Sequence, residues 1–224
     1  MEDSTTVMDR SGVANVSAEG LEPSHLPSYV WKSAYAVLGA IAITVPLGVG
    51  FFLYEGIFAL LSDAGGLLVG LTLAPLVWGM YLLHQGDRIN LPVLAFGVAS
   101  VLGICLGSIG LVLMYVLSLD TAVVGGTFLS IQFIGWLLLG IWMLGVGWIG
   151  LRNELVARRV SWAAMAAGIG AAGGIVTLVY SYAVGSFTPL FPLLMAVFAI
   201  GFVVWAFWLG GELRVSARKE GVSA

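Results

Sequence analysis

The stretch Arg152-Asn153-Glu154-Leu155-Val156-Ala157-Arg158-Arg159-Val160-Ser161 decides the fold, because it separates two long uncharged runs. It contains three of the nine Lys and Arg residues in the chain. Each neighbouring run is long enough to cross a bilayer, which takes about 20 apolar residues in a helix. The spacing of Glu154 and Arg158 predicts an ion pair on one helix face. Placing this stretch on one side of a membrane fixes the side of every other connection.

The composition of the chain indicates a membrane protein. Of its 224 residues, 60% are apolar and only 9% are charged, whereas soluble domains carry about 25% charged residues. A soluble fold of this size has too much surface to be covered by so few charges. The net charge of −3 gives no reason to expect nucleic-acid binding. The single cysteine, Cys105, cannot form a disulfide within the chain.

Six apolar runs predict an all-α fold, a polytopic transmembrane bundle of six helices. The predicted spans are about 33–54, 64–83, 92–117, 128–150, 162–184 and 189–209. Together they form a membrane domain, 33–211, between a disordered tail, 1–32, and a C-terminal tail, 212–224. The break at 55–63 is predicted to be a surface turn or an extension of the first helix, and loop gives way to helix within 121–127.

Residues of the type that cap helix N-termini stand at the start of each predicted span. They are Ser33, Asp63, Asn90, Asp120, Ser161 and Thr188. Their positions support the division of the chain into six helices.

The basic residues predict the orientation, because Lys and Arg cost about 2.5–3.5 kcal/mol each at the centre of an inserted helix and stay cytoplasmic. With six spans and a cytoplasmic N-terminus, all nine lie on the cytoplasmic side, which predicts an N-in, C-in topology. The residues that determine it are Arg152, Arg158, Arg159, Arg214, Arg218 and Lys219. The outer connections hold Glu55, Asp63 and Asp120, which would make a shared acidic site for a cation if their capping roles allowed it.

Small residues at four-residue spacing predict close helix packing, since lipid supplies no hydrophobic drive for helices to associate. The predicted packing residues are Gly66, Gly70, Gly103, Gly107, Ala166, Gly170 and Gly174. We expect the second, third and fifth spans to form the tight centre, with dimerisation as the alternative use of these residues. Two halves of three spans each would be inverted relative to each other, as in some transporters.

Polar residues inside the spans are few. Gln132 is the most polar, with Ser130 and Thr127 nearby; these three would bind a ligand, line a polar cavity, or hydrogen-bond to a neighbouring helix. His84 with Asp87 would sense pH or belong to a solvated loop. The spans have no ionisable residue at their centres, and no nucleophile–histidine pair or metal-ligand cluster is found, so we expect neither an enzyme nor a cofactor.

The second half, Trp136 through Arg214, carries a basic turn before an aromatic-led fifth span, Arg158-Arg159-Val160-Ser161-Trp162. A Trp-rich sixth span follows, Trp205-Ala206-Phe207-Trp208-Leu209-Gly210-Gly211-Glu212-Leu213-Arg214. This pattern resembles uncharacterised small six-span integral membrane proteins of prokaryotes, which are classed as domains of unknown function. The resemblance implies the same fold and no activity.

Two functions follow as expectations. The first is a non-enzymatic accessory subunit or small-ligand- or lipid-binding module in the cytoplasmic membrane of a prokaryote. The alternative is a small-solute transporter or channel with a polar path near Gln132. The expected partners are the lipid bilayer and either another membrane protein or a second copy of the chain.

Overall fold

A computed structural model describes residues 25–54, 57–118, 125–186 and 188–219. These residues form six α-helices and contain no strand. The helices are α1 (Leu26–Tyr54), α2 (Ile57–Leu83), α3 (Asn90–Val116), α4 (Gly126–Asn153), α5 (Arg158–Val184) and α6 (Leu190–Lys219). All six are long and apolar enough to cross a membrane. The predicted fold class, an all-α bundle of six transmembrane helices, is confirmed.

The helices extend beyond the predicted spans. Helix α1 begins at Leu26, so the last part of the predicted N-terminal tail is helical. Helix α2 begins at Ile57, so the segment 57–62 is its first part and is neither a surface turn nor an extension of α1. Helix α6 continues to Lys219, through most of the predicted C-terminal tail. Backbone groups need intrahelical partners in lipid and at its interface, and this favours continuing a helix past the apolar run.

Most of the predicted caps are therefore wrong. Ser33 lies inside α1, where its hydroxyl donates to the Tyr29 carbonyl at 2.9 Å, and Asp63 lies inside α2. Ser161 is the fourth residue of α5, whose N-cap is Ala157. Asn90 is the first residue of α3 rather than its N-cap.

The remaining two predicted caps have different outcomes. Asp120 lies outside the described residues. Thr188 does precede α6, and its carbonyl accepts from the Phe191 N–H at 3.3 Å.

The α4–α5 connection is a tight turn of four residues. Glu154 ends α4 in a left-handed conformation with φ of 51°, and its carboxylate accepts from the Arg158 guanidinium at 2.8 Å. The predicted Glu154–Arg158 pair is confirmed. The opening stretch of sequence thus spans the last turn of α4, this short connection and the first turn of α5.

The six helices form a closed ring. Each helix packs against its neighbours in the chain, and α1 packs against α6. Helix α4 lies between α3 and α5, so the prediction that the second, third and fifth spans form one tight centre is wrong. Hydrophobic periodicity shows which residues are apolar but not which helices meet.

The two ends of the bundle differ in chemistry. We call the end that holds the α2–α3 connection (84–89), the α4–α5 connection (154–157) and the last turns of α6 the basic end. Asn153 donates to Asp87 at 3.4 Å there, and the Arg214 guanidinium stands 5.6 Å from the centre of the Trp31 ring. The other end, where α2, α4 and α6 begin, is called the opposite end.

Aromatic side chains fill the middle of the bundle. The rings of Trp142 in α4 and Trp205 in α6 meet edge to face with centroids 5.8 Å apart, and both are fully buried. Phe202 adds a third ring, 5.5 Å from Trp205. Edge-to-face ring pairs add about 0.5–1.5 kcal/mol beyond the area they bury. We call these three buried rings, which come from α4 and α6, the aromatic layer.

Glycines set the distance between neighbouring helices. A methyl group added to any of the six predicted packing glycines would come within 3.0 Å of an atom on another helix; these are Gly66, Gly70, Gly103, Gly107, Gly170 and Gly174. Ala166, the seventh predicted packing residue, is half-buried on α5. The closest backbone approach between α3 and α4 joins Gly103 and Gly135, where an added Cβ on Gly135 would lie 2.5 Å from the Ile104 nitrogen.

Replacing Gly135 with Ala is expected to lower the thermal unfolding midpoint in detergent, because α3 must move away and overpacking costs about 1–3 kcal/mol. Gly39→Ala is the matched control, since nothing lies within 4 Å of the added methyl group and Ala is the better helix former by about 1 kcal/mol. Equal midpoints for the two variants would show that the α3–α4 contact does not limit stability.

His84 is buried at the basic end, directly after α2. Its side chain is only 1% exposed and lies among Met80, Asn90, Trp142 and Ile149. Neither ring nitrogen has a hydrogen-bond partner in the described part of the chain. Burial lowers the pKa of His84 from 6.5 to about 4, against the opposing effect of the Asp87 carboxylate. His84 is therefore neutral at neutral pH, and the alternative of a solvated loop is wrong for this side chain.

Acidification is expected to destabilise the protein through His84. The unfolded chain takes up this proton near pH 6.5 and the folded chain only near pH 4. The stabilising contribution is therefore complete above pH 6.5 and is lost as the pH falls towards 4. At about 1.4 kcal/mol per pKa unit, the loss is on the order of 3 kcal/mol. The thermal unfolding midpoint of the wild type should fall more over this pH range than that of His84→Met. Parallel pH profiles of the two midpoints would contradict this.

Candidate functional site

Asp63 lies within a membrane-spanning helix. Because α2 begins at Ile57, Asp63 is about two turns into the helix. Asp63 was predicted to cap the start of the second span, and its position inside α2 corrects that prediction. Ionisable residues in membrane helices are costly to bury, and they mark functional sites by default.

Polar side chains of two other helices lie on the same side of the bundle as the Asp63 carboxyl group. Gln132 of α4, 9% exposed, donates from Nε2 to the Ser108 hydroxyl of α3 at 2.9 Å. The Gln132 side chain also lies close enough to the Asp63 carboxyl group to interact with it. Three helices thus contribute one polar side chain each, and we call Asp63, Ser108 and Gln132 the polar cluster.

Two glycines make room for the polar cluster. A Cβ on Gly66 of α2 would lie 2.8 Å from the Ser108 hydroxyl oxygen and 3.4 Å from Gln132 Nε2. A Cβ on Gly107 of α3 would lie 2.7 Å from the Gln132 Cα. The small residues that bring α2, α3 and α4 together therefore also bring their polar groups into contact.

A cavity of 450 Å³ opens beside the polar cluster at the opposite end. Residues of helices α2, α3, α4 and α5 line it. Asp63 is the acidic residue among them. The lining residues are Ala59, Ser62, Asp63, Leu111, Met114, Tyr115, Gly125, Gly126, Leu129 and Tyr182. We call it the Asp63 cavity. It offers a carboxyl group, a serine hydroxyl and two tyrosines to a ligand.

The predicted polar residues of α4 do not all meet in this site. Gln132 belongs to the polar cluster, whereas Ser130 and Thr127 are exposed on α4. The Ser130 hydroxyl donates to the carbonyl of Gly126 within its own helix at 2.8 Å. Of the three acidic residues considered as a cation site, Glu55 and Asp120 lie outside the described residues.

Ser108 and the tyrosines of the cavity were not predicted as site residues from the sequence. Ser108 follows Gly107 in a run of small residues, and its placement opposite Gln132 depends on how α3 and α4 cross. An available signal for Asp63 was the apolar segment before it, Ile57-Phe58-Ala59-Leu60-Leu61. That segment has the composition of a first helical turn rather than of a loop.

Several charged residues of the basic end contact other protein groups. Glu212 of α6 accepts from the Arg159 guanidinium at 3.1 Å and from the Ala157 N–H, at the N-cap of α5, at 3.0 Å. The Arg159 guanidinium also stands over the Trp208 ring at 5.5 Å. One carboxylate therefore ties the α4–α5 connection to α6, and the charges here serve packing of the helix ends.

No family model matches the chain, no curated protein is significantly similar to it in sequence, and no solved structure is significantly similar to it in fold. The class of protein is therefore assigned from the fold and the composition. Six apolar helices carry exposed apolar side chains such as Leu71, Leu102, Ile134 and Ile200 towards lipid. The chain is a multi-pass α-helical membrane protein.

The Gln132–Ser108 contact is expected to stabilise the bundle. In a double-mutant cycle of Gln132→Leu and Ser108→Ala, the unfolding free energies should show a coupling of about 1 kcal/mol, the size of interhelical hydrogen bonds in membranes. Ser130→Ala is the control partner, because its hydroxyl bonds within α4 and should not couple to Gln132→Leu. Additive free energies in both cycles would contradict the contact.

Proposed function

We propose that this chain is a non-enzymatic membrane protein that binds a small ligand in the Asp63 cavity. The observation that carries the proposal is a carboxyl group inside a membrane span, close to Gln132 of α4 and lining a cavity of 450 Å³. Ligand pockets are typically about 300–1,000 Å³. A bundle that served only as a packed scaffold would have no need to keep a carboxyl group at this depth.

The chemistry of the site supports binding rather than catalysis. The chain has two histidines; His84 lies at the basic end, and His25 immediately precedes α1, whose N-terminal part lies at the same end. An imidazole is therefore not placed to exchange a proton with Asp63. The other lining groups, Ser62, Tyr115 and Tyr182, serve as hydrogen-bond partners or aromatic surfaces for a bound molecule.

An accessory role in a larger membrane assembly fits the same architecture. Helix α6 presents most of its length outward, including Leu193, Ile200 and Phe207. Lipid covers such a face in a single copy of the chain, and another membrane protein or a second copy would cover it in an assembly. Ligand binding in the Asp63 cavity would then be coupled to the contact with that partner.

A small-solute transporter or channel is the alternative function. An ionisable residue within a span is typical of solute and ion paths, and Asp63 with Gln132 would form one. Between this site and the basic end the core contains the aromatic layer of Trp142, Phe202 and Trp205, whose side chains are fully buried. This layer favours a cavity that opens on one side, and hence binding over transport.

We also propose an N-in, C-in orientation in the cytoplasmic membrane of a prokaryote. The positive-inside rule and the resemblance of the second half to prokaryotic six-span proteins support it. The Asp63 cavity then opens towards the outer face. A ligand would reach it without crossing the membrane.

Single cysteines introduced in a Cys105→Ala background test this orientation. Leu155→Cys lies in the exposed α4–α5 connection and Ser186→Cys in the exposed α5–α6 connection. In intact cells, a membrane-impermeant maleimide should label the cysteine at 186 and leave the one at 155 unlabelled until the cells are permeabilised. The reverse pattern would invert the topology, and labelling of both would contradict six spans.

Filling the cavity is expected to remove the ligand. The protein, purified in mild detergent and then denatured, should release a small molecule that mass spectrometry detects. Leu129→Trp places an indole in the cavity lining and should lower the released amount at least tenfold. Leu106→Trp, on the exposed face of α3, is the matched control and should retain it. Equal release from all three proteins would contradict the proposal.

A further inference from the structure

We propose that the ligand of the Asp63 cavity is a small organic cation, a primary amine or a quaternary ammonium compound. This inference rests on the proposed ligand-binding function and names the chemical class that the cavity selects. It is argued from the charge, the aromatic lining and the size of the cavity.

The charge of Asp63 lacks a compensating basic side chain near the cavity. The sequence contains no Lys or Arg in 33–87, 89–151 or 160–213, which include every residue that lines the cavity. Arg159 pairs with Glu212 and Arg214 contacts the Trp31 ring, both at the basic end. A carboxylate withdrawn from water is costly unless it is paired. Gln132 supplies a neutral hydrogen bond and no charge, so a cationic ligand would complete the site.

Aromatic rings line the same cavity from two further helices. Tyr115 of α3 and Tyr182 of α5 stand in the lining with Asp63 of α2. The face of an aromatic ring attracts organic cations, by about 0.5–2 kcal/mol depending on exposure, and this is how proteins recognise quaternary ammonium groups. Met114 adds a polarizable sulfur to the lining. A carboxylate combined with tyrosines favours an ammonium group over a neutral or anionic ligand.

The size and the donor set favour an organic cation over a metal ion. A volume of 450 Å³ is far larger than a metal ion requires. Among the described residues, no group of three or more His, Cys, Asp or Glu side chains comes together, and hard cations such as Ca²⁺ take about 6–8 oxygen ligands. An ammonium group needs only a carboxylate and an aromatic surface, both of which the cavity provides.

Three probes of nearly identical shape and different charge test the proposal. They are choline, its neutral isostere 3,3-dimethylbutan-1-ol and the anion 3,3-dimethylbutanoate, titrated calorimetrically into the full chain in phosphatidylglycerol nanodiscs. We expect choline to bind at least tenfold more tightly than either isostere. Asp63→Asn should weaken choline binding at least tenfold, whereas the exposed control Glu154→Gln should leave it unchanged.

The tyrosines provide a second test if Asp63→Asn does not fold. Tyr182 is 74% exposed, so substitutions there leave the bundle core intact. Tyr182→Phe keeps the ring and should bind choline like the wild type, whereas Tyr182→Leu should bind it several-fold more weakly. Equal affinities for all three proteins would overturn the aromatic part of the inference.

The outcomes separate this inference from the proposed function. Equal binding of the three probes, or unchanged choline binding by Asp63→Asn, would overturn the organic cation. The organic cation is also overturned if no probe binds and the molecule released from the purified protein is neutral or anionic. In each of these cases the ligand-binding function stands if Leu129→Trp abolishes binding or release. Absence of both probe binding and a released molecule would overturn both proposals.

The same chemistry could be delivered by a free amine or by the headgroup of a lipid. Nanodiscs that contain phosphatidylethanolamine distinguish the two sources. Unchanged choline affinity in these nanodiscs indicates a free amine, and weaker affinity indicates competition by the lipid headgroup. Both results support a site for an organic ammonium group.

Discussion

The need to pair every backbone N–H and C=O group in a medium without water is the constraint on which this structure depends. It makes each apolar run a helix, and it extends the helices past the apolar runs. Helix α2 starts at Ile57 and carries Asp63 into the span. Breaking the helix before Asp63 would leave several backbone groups unpaired. Keeping it intact costs the burial of one carboxyl group, which the polar cluster offsets in part.

Close helix crossings bring polar side chains of different helices into contact. Gly103 and Gly135 let α3 and α4 approach with backbone against backbone, and Gly107 lets Gln132 pack on α3. At that separation the Gln132 amide reaches Ser108. Packing by small residues and pairing of polar residues are therefore two consequences of one crossing.

The two ends of the bundle differ in their charged groups and in their packing. At the basic end, Glu212 joins the α4–α5 connection to α6, and His84 is sealed among apolar and aromatic side chains. At the opposite end, the Asp63 cavity lies between α2, α3, α4 and α5. The aromatic layer around Trp142 and Trp205 lies between them. Ion pairs lie at one end and a carboxyl group without a basic neighbour lies at the other, and the proposed ligand site at the opposite end rests on this contrast.

The sequence by itself determined the six helices, the all-α class, the Glu154–Arg158 pair and the choice of Gln132 as the polar residue to examine, because each depends on composition or on short spacing along the chain. Only the tertiary structure decided that Asp63 lies inside a span, that Ser108 is the partner of Gln132, that His84 is buried, and that α4 separates α3 from α5. These features depend on which helix faces meet and on how far a helix continues. Contacts between distant segments set both, and periodicity along the chain does not record them.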